Sequence, residues 1–157
     1  MLNRRHLRIK VLQALYSWFQ GSDGEYGKAE KELMRNIERI YDLYVLYLLV
    51  LVDMQLMAEN KIEDGKKKKL PTKADLEPNM KFVENKILCL LRDNKSLQAE
   101  AHKRKLSWAS EQDMLKKIFN ELRTSEEYAK YMTDPGRSFE EGQDFIMAFF
   151  KDKIANG

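Results

Sequence analysis

A stretch without glycine or proline runs from Lys28 to Asp64, and it constrains the fold more than any other feature of the sequence. Its apolar residues first follow helical spacing, and from Leu43 to Val52 they surround the helix axis on all sides. The pattern predicts a long helix whose second half is buried on most sides. Because such a helix exceeds the usual length, a kink or break within it is favoured.

The remaining sequence is also typical of helices. No stretch alternates apolar and polar residues over the length of a strand. Helical patterns cover residues 80–94 and 95–106, and three further segments start with the spacing of a capping box, at Ser110, Thr124 and Ser138. The sequence therefore predicts an all-α helical bundle, with long N-terminal helices followed by additional short ones.

One clear loop, GKKKKLPTKADLEPN, separates two parts of the chain. We divide the chain into N-terminal helices at 1–64, a linker at 65–79, and a helical region at 80–157 that packs on the same core. The lysine run Lys66–Lys69 in this linker is interpreted first as solvated surface. A patch that contacts phosphates is the alternative interpretation.

Residues suited to catalysis or metal binding are scarce. The single cysteine, Cys89, excludes an internal disulfide and a cysteine-based zinc site, and its apolar neighbours predict a buried thiol. His6 and His102 each lack a His or Cys partner at metal-ligand spacing. The sequence contains neither of the glycine-rich phosphate-binding motifs G-x-x-x-x-G-K-[ST] and G-x-G-x-x-G. We expect no catalytic residues, no metal, no cofactor and no enzymatic activity. The single cysteine and the lack of a signal-peptide pattern lead us to expect a cytoplasmic protein. Because the apolar run 43–52 is too short to cross a bilayer, we also expect no membrane contact.

The first helix, within MLNRRHLRIKVLQALYSWFQ, has an unusual charge distribution. Residues 1–22 carry four positive charges and no acid, whereas the whole chain carries +3, so the remainder sums to −1. Cations at a helix N-terminus oppose the helix dipole. We therefore expect the arginines to extend beyond the core. Helical projection predicts a core-facing side and an opposite side; the first holds Leu7, Val11, Leu12, Leu15, Trp18 and Phe19, and the second His6, Lys10, Gln13 and Ser17.

A resemblance to a known family rests on two strings. Arg4-Arg5-x-x-Arg8 followed by Gln13-Ala14-Leu15-Tyr16-Ser17-Trp18 resembles the opening helix of NusB, the bacterial transcription antitermination factor. Asp42-Leu43-Tyr44-Val45-Leu46-Tyr47-Leu48-Leu49 resembles the helix that crosses under it. Residues 66–157 do not match the usual short form, so the chain resembles the N-terminal part of a long-form member with an added helical region.

This resemblance implies a non-enzymatic, all-helical RNA-binding protein. NusB-like proteins bind boxA RNA together with the ribosomal protein NusE, within an RNA polymerase complex that controls transcription antitermination and termination. The arginine-rich motif of the family corresponds to Arg4, Arg5 and Arg8, with His6 where a further arginine often stands. The RNA-binding candidates are Arg4, Arg5, His6, Arg8, Lys10, Gln13 and Tyr16. Arginine suits these contacts because its planar fork binds phosphate oxygens and stacks on bases.

Two other functions are compatible with the sequence. One is a NusB-like accessory domain of an RNA cytosine methyltransferase, whose catalytic part would lie outside this sequence. The other is a helical protein-interaction module that binds no RNA and whose basic end meets an acidic partner.

Overall fold

The computed structural model describes residues 4–21 and 26–155, which contain helices and no strand. The predicted all-α helical bundle is confirmed. The helices are α1 (Arg4–Gln20), α2 (Tyr26–Lys66), α3 (Lys73–Leu76), α4 (Lys86–Arg92), α5 (Lys95–Arg104), α6 (Gln112–Thr124), α7 (Glu126–Thr133) and α8 (Phe139–Phe149). A 3₁₀ turn at Ala109–Glu111 precedes α6, and a π-helical segment at Phe150–Ala155 follows α8.

Helix α2 runs unbroken for 41 residues, so the predicted break does not occur. No proline interrupts its backbone hydrogen bonds. The chain forms two compact units, Met1–Val45 and Leu46–Gly157, and their boundary falls inside α2. By length and hydropathy alone α2 could cross a membrane, but core helices of soluble proteins pass the same test. The predicted division at residues 64 and 79 stays a prediction.

The second unit is built around the later part of α2. Val50, Leu51 and Met54 are buried there, and Met54 is completely inaccessible. They pack in one apolar cluster with Phe82, from the turns before α4, and with residues of α4, α6, α7 and α8, namely Leu88, Leu115, Phe119, Leu122, Tyr131, Phe145, Ile146 and Phe149. Trp108 packs beside this cluster, and its Nε1 donates to the carbonyl of Leu46 at 2.9 Å.

The helix boundaries correct several sequence predictions. The predicted helix over 80–94 is shorter, because Asn85 caps α4 and residues 81–84 form turns. Ser138 caps α8 as predicted, whereas Ser125, one residue after Thr124, caps α7. The predicted loop 65–79 contains the short helix α3. Thr72 and Asp75 form a reciprocal capping box at its N-terminus. Cys89 is only half-buried.

Asn85 joins three elements of the second unit. Its Oδ1 accepts from the backbone N–H groups of Ile87 and Leu88, which begin α4. Its Nδ2 donates to the hydroxyl of Tyr131 at 3.0 Å and to the carbonyl of Gly142 at 3.2 Å. A Cβ on Gly142 would lie 3.0 Å from this nitrogen, so glycine permits the close approach of α8. A buried side chain with every polar atom paired fixes how these elements pack.

We expect Asn85→Ala to destabilise the protein by about 2 kcal/mol, because it removes an N-cap and leaves buried partners unpaired. Asn94 is the matched control: it caps α5 at an exposed position, so Asn94→Ala should cost about 1 kcal/mol or less. Urea unfolding of both variants measures the difference. Equal losses would show that Asn85 acts only as a cap.

Asp53 lies within the apolar part of α2 and has no ion pair to any described residue. Burial raises the pKa of its carboxyl. An acid whose folded pKa exceeds its unfolded value lowers stability as pH rises between the two values. We therefore expect Asp53→Asn to raise the unfolding midpoint at pH 7 and to have less effect near pH 4. Thermal unfolding at the two pH values tests this, and a lower midpoint at pH 7 would contradict it.

Candidate nucleic-acid interface

Helix α1 presents its basic residues at its beginning, in the first compact unit. Arg4, Arg5 and Arg8 are exposed, and the first turn contains no acidic residue. Across residues 4–21 and 26–155, none of these arginines forms an ion pair with a carboxylate. The three guanidinium groups are therefore accessible to a ligand and add to the positive end of the helix dipole.

The side of α1 that packs on the start of α2 differs from the predicted one. Ala14, Trp18 and Ala29 line two grooves at once, so they lie where the two helices meet. The half-buried residues of α1 are Leu7, Lys10, Ala14 and Trp18. This stripe is centred on a small alanine, which lets the helices approach closely. The predicted core positions Leu12 and Phe19 are instead 68% and 76% exposed.

Two of the candidate RNA-binding residues meet at one of these grooves. Lys10 and Gln13 line a groove of about 290 Å³, whose opposite wall holds Glu32 and Asn36. Lys10 was predicted on the side away from the core, but it is half-buried here. Its stem packs along the helix pair, as long cationic side chains commonly do.

The other candidates lie on the exposed side of α1. Tyr16 is 66% exposed, and its hydroxyl accepts a hydrogen bond from Nε2 of Gln20 at 2.9 Å. His6 is also exposed. Helical spacing of 100° per residue places Arg5, Leu12 and Tyr16 on the same side of the helix. We call Arg5, Arg8, Leu12, Tyr16 and Phe19 the outer face of α1.

The outer face combines charge with aromatic surface. Arginines occupy its first two turns, and the exposed rings of Tyr16 and Phe19 follow. Cations that contact phosphates and rings that stack on bases are the two elements of single-strand binding. Sequence reasoning missed Leu12 and Phe19 as surface residues, because their spacing also fits a buried stripe.

Trp18 leaves one polar group unsatisfied. Its Nε1 is buried and has no acceptor among the described residues. The ring lies 4.8 Å from Phe19 and 6.3 Å from Tyr26, measured between centroids. Trp18 therefore belongs to the apolar contact between α1 and α2. The described residues also include no group of three or more His, Cys, Asp or Glu side chains able to hold a metal ion.

Comparison of this chain with protein-family models, with curated proteins and with solved structures finds no match.

Proposed function

We propose that this protein binds single-stranded RNA through α1 and acts as a transcription antitermination or termination factor of the NusB type. The observation that carries the proposal is the exposed arginine cluster of Arg4, Arg5 and Arg8, none of which pairs with a carboxylate in residues 4–21 or 26–155. Arginines without an internal partner at a helix start lower stability and are expected to have an external anionic ligand.

The outer face offers contacts for both the phosphates and the bases of RNA, whereas a polyanion without bases would use only the positive charges. The arginines would contact phosphate oxygens, while Tyr16 offers an exposed ring for a base. Lys10 and Gln13, at the groove, would contact the same strand where it passes the helix pair. The resemblance of the opening helix to NusB names the RNA class, a boxA-like element, and the partner, ribosomal protein NusE, within an RNA polymerase complex.

A second candidate function has an observation of its own. Leu12 and Phe19 expose apolar surface on the outer face, which favours a protein-interaction module. In the NusB-type proposal this surface is available to a protein partner while the arginines hold RNA. As an independent module, the protein would bind its partner without RNA.

A gel-shift experiment distinguishes these functions. The full chain is mixed with boxA-like RNA and with a scrambled RNA of equal length, each with and without purified NusE. We expect preferential binding of the boxA-like RNA, strengthened by NusE. Binding of NusE with no binding of either RNA would support the interaction module instead. Equal binding of both RNAs would reject boxA recognition.

The salt dependence of RNA binding is a separate prediction. If Arg4, Arg5, Arg8 and Lys10 all contact phosphates, log affinity should fall against log salt concentration with a slope of about −3. Fluorescence anisotropy between low and physiological salt gives this slope. A slope near zero would contradict phosphate contact by these residues.

A further inference from the structure

A large groove crosses the second compact unit, far in sequence from α1. Its volume is about 780 Å³, and it lies between the end of α2, the segment around α3, and α6. The groove is within the size range of pockets that bind small organic ligands. Its floor is apolar and aromatic, with Met57, Phe82, Phe119 and Tyr128.

Four cations line this groove, and two of them are already paired. Lys68 binds Asp75 at 2.8 Å, and Lys116 binds Asp113 at 3.2 Å. Hydrogen bonds from Lys68 and from Thr72 lower the pKa of Asp75 to about 2, so this carboxylate stays charged and occupied. Asp75 therefore does not neutralise the remaining two cations.

Lys61 and Arg123 are the two cations without a carboxylate partner among the described residues. The guanidinium of Arg123 lies 5.9 Å from the ring centre of Phe119. Burial, and then the charges of Arg123 and Lys68, lower the pKa of Lys61. Asp64 also lines the groove but forms no ion pair with either residue. Both cations line the groove, and the charge of Arg123 disfavours the charged form of Lys61. An anion bound at this groove would relieve that repulsion.

We infer that this groove binds a nucleotide phosphate, with Lys61 and Arg123 on the phosphate and the base over the apolar floor. A phosphate monoester supplies two charges at one point, which a single peptide carboxylate does not. The groove exceeds the size of an inorganic anion. Phe82 and Phe119 lie almost fully buried beneath it, so the half-buried Met57 and Tyr128 supply the apolar surface for a planar base. The amides of Asn60 and Gln112 line the same groove and match the hydrogen-bonding edges of a base.

The phosphate monoester has two possible sources, a free nucleotide or the 5′-phosphorylated end of an RNA strand, since an internal phosphodiester carries only one charge. Titration of the full chain with AMP, and separately with a 5′-phosphorylated ten-nucleotide single-stranded RNA, distinguishes them by calorimetry. Binding of AMP supports a free nucleotide. Binding of RNA alone, if it depends on Lys61 and Arg123, supports a second contact to RNA. The inference does not rest on the proposed function of α1.

The test variant is the double substitution Lys61→Ala with Arg123→Ala. We expect it to weaken binding at the groove at least about tenfold, because both phosphate contacts are lost. The matched control is Lys95→Ala with Lys130→Ala, which removes two exposed cations of the same unit outside the groove. This control should change affinity less than about twofold. Equal weakening by both variants would overturn the inference.

Thermal unfolding and competition give further outcomes that test the inference. The thermal midpoint of the Lys61/Arg123 variant should match or exceed that of the wild type, since a repulsion is removed. AMP should raise the wild-type midpoint but not that of this variant. Absence of binding to both AMP and RNA at low salt would overturn the inference, as would equal competition by poly-glutamate. Substitution of Arg4, Arg5 and Arg8 should leave AMP binding unchanged, which separates this site from α1.

Discussion

Replacing Arg4, Arg5 and Arg8 together with alanine should weaken RNA binding about a hundredfold at physiological salt. Each charge-assisted contact to a phosphate contributes on the order of 1 kcal/mol, and a tenfold change in affinity corresponds to about 1.4 kcal/mol. The slope of log affinity against log salt should fall from about −3 to about −1, since only Lys10 remains. Anisotropy with labelled boxA-like RNA measures both quantities.

The same substitution should leave the fold intact. All three arginines are exposed, and they oppose the dipole of α1, so the thermal midpoint should stay constant or rise slightly. The matched control removes Lys31, Arg35 and Arg39, three exposed cations one turn apart on α2 in the same unit. If the control weakens binding as much as the arginine variant, general positive charge rather than the α1 cluster holds the RNA.

Replacing Glu141 with alanine should destabilise the protein by about 3 kcal/mol. Lys81 is only 5% exposed, and its Nζ donates to Oε1 of Glu141 at 2.6 Å and to the carbonyl of Asp134 at 2.9 Å. The same nitrogen lies 4.3 Å from the ring centre of Tyr131. Removing Glu141 leaves a buried cation without its counter-charge, and this loss is much larger than the net contribution of the pair.

Three comparison variants separate the causes of that loss. Glu140→Ala removes an exposed acid from the same first turn of α8 and should cost no more than about 0.5 kcal/mol. Lys81→Met removes the buried charge itself and should cost only about 1 kcal/mol, because Glu141 is exposed enough to be hydrated. Glu141→Gln keeps an acceptor and should fall between these values. Urea unfolding measures all four, and equal losses for Glu140→Ala and Glu141→Ala would contradict the argument.

Local sequence patterns predicted most of the helices because helices depend on neighbours within four residues. Ser138 was predicted as a cap from the acid three residues later, and its side chain does accept from the backbone of Glu141. The end of α2 lies within two residues of the predicted one, whereas the start of α4 was less predictable. Asn85 caps α4 without the spacing of a capping box. Its side chain is held in place by hydrogen bonds to Tyr131 and Gly142, which are distant in sequence.

The side on which α1 packs could not be predicted from spacing alone. The apolar residues of α1 cover too wide an arc of the helix surface to show which side packs against α2. The packing side depends on where α2 has a small residue. Ala14 and Ala29 supply that contact, which leaves Leu12 and Phe19 exposed. The groove at Lys61 and Arg123 was also beyond sequence reasoning, since only the fold brings these residues together.

The two tryptophans occupy different units and different hydrogen-bonding environments. Trp108 donates to a carbonyl in the second unit, whereas the indole of Trp18 in the first unit has no described acceptor. Trp108→Phe and Trp18→Phe therefore each leave a single tryptophan. Its emission, excited selectively over that of the tyrosines, reports on one unit. Quenching of Trp18 emission by added RNA would track the α1 surface, while Trp108 emission would track nucleotide titration of the other unit, without any attached dye.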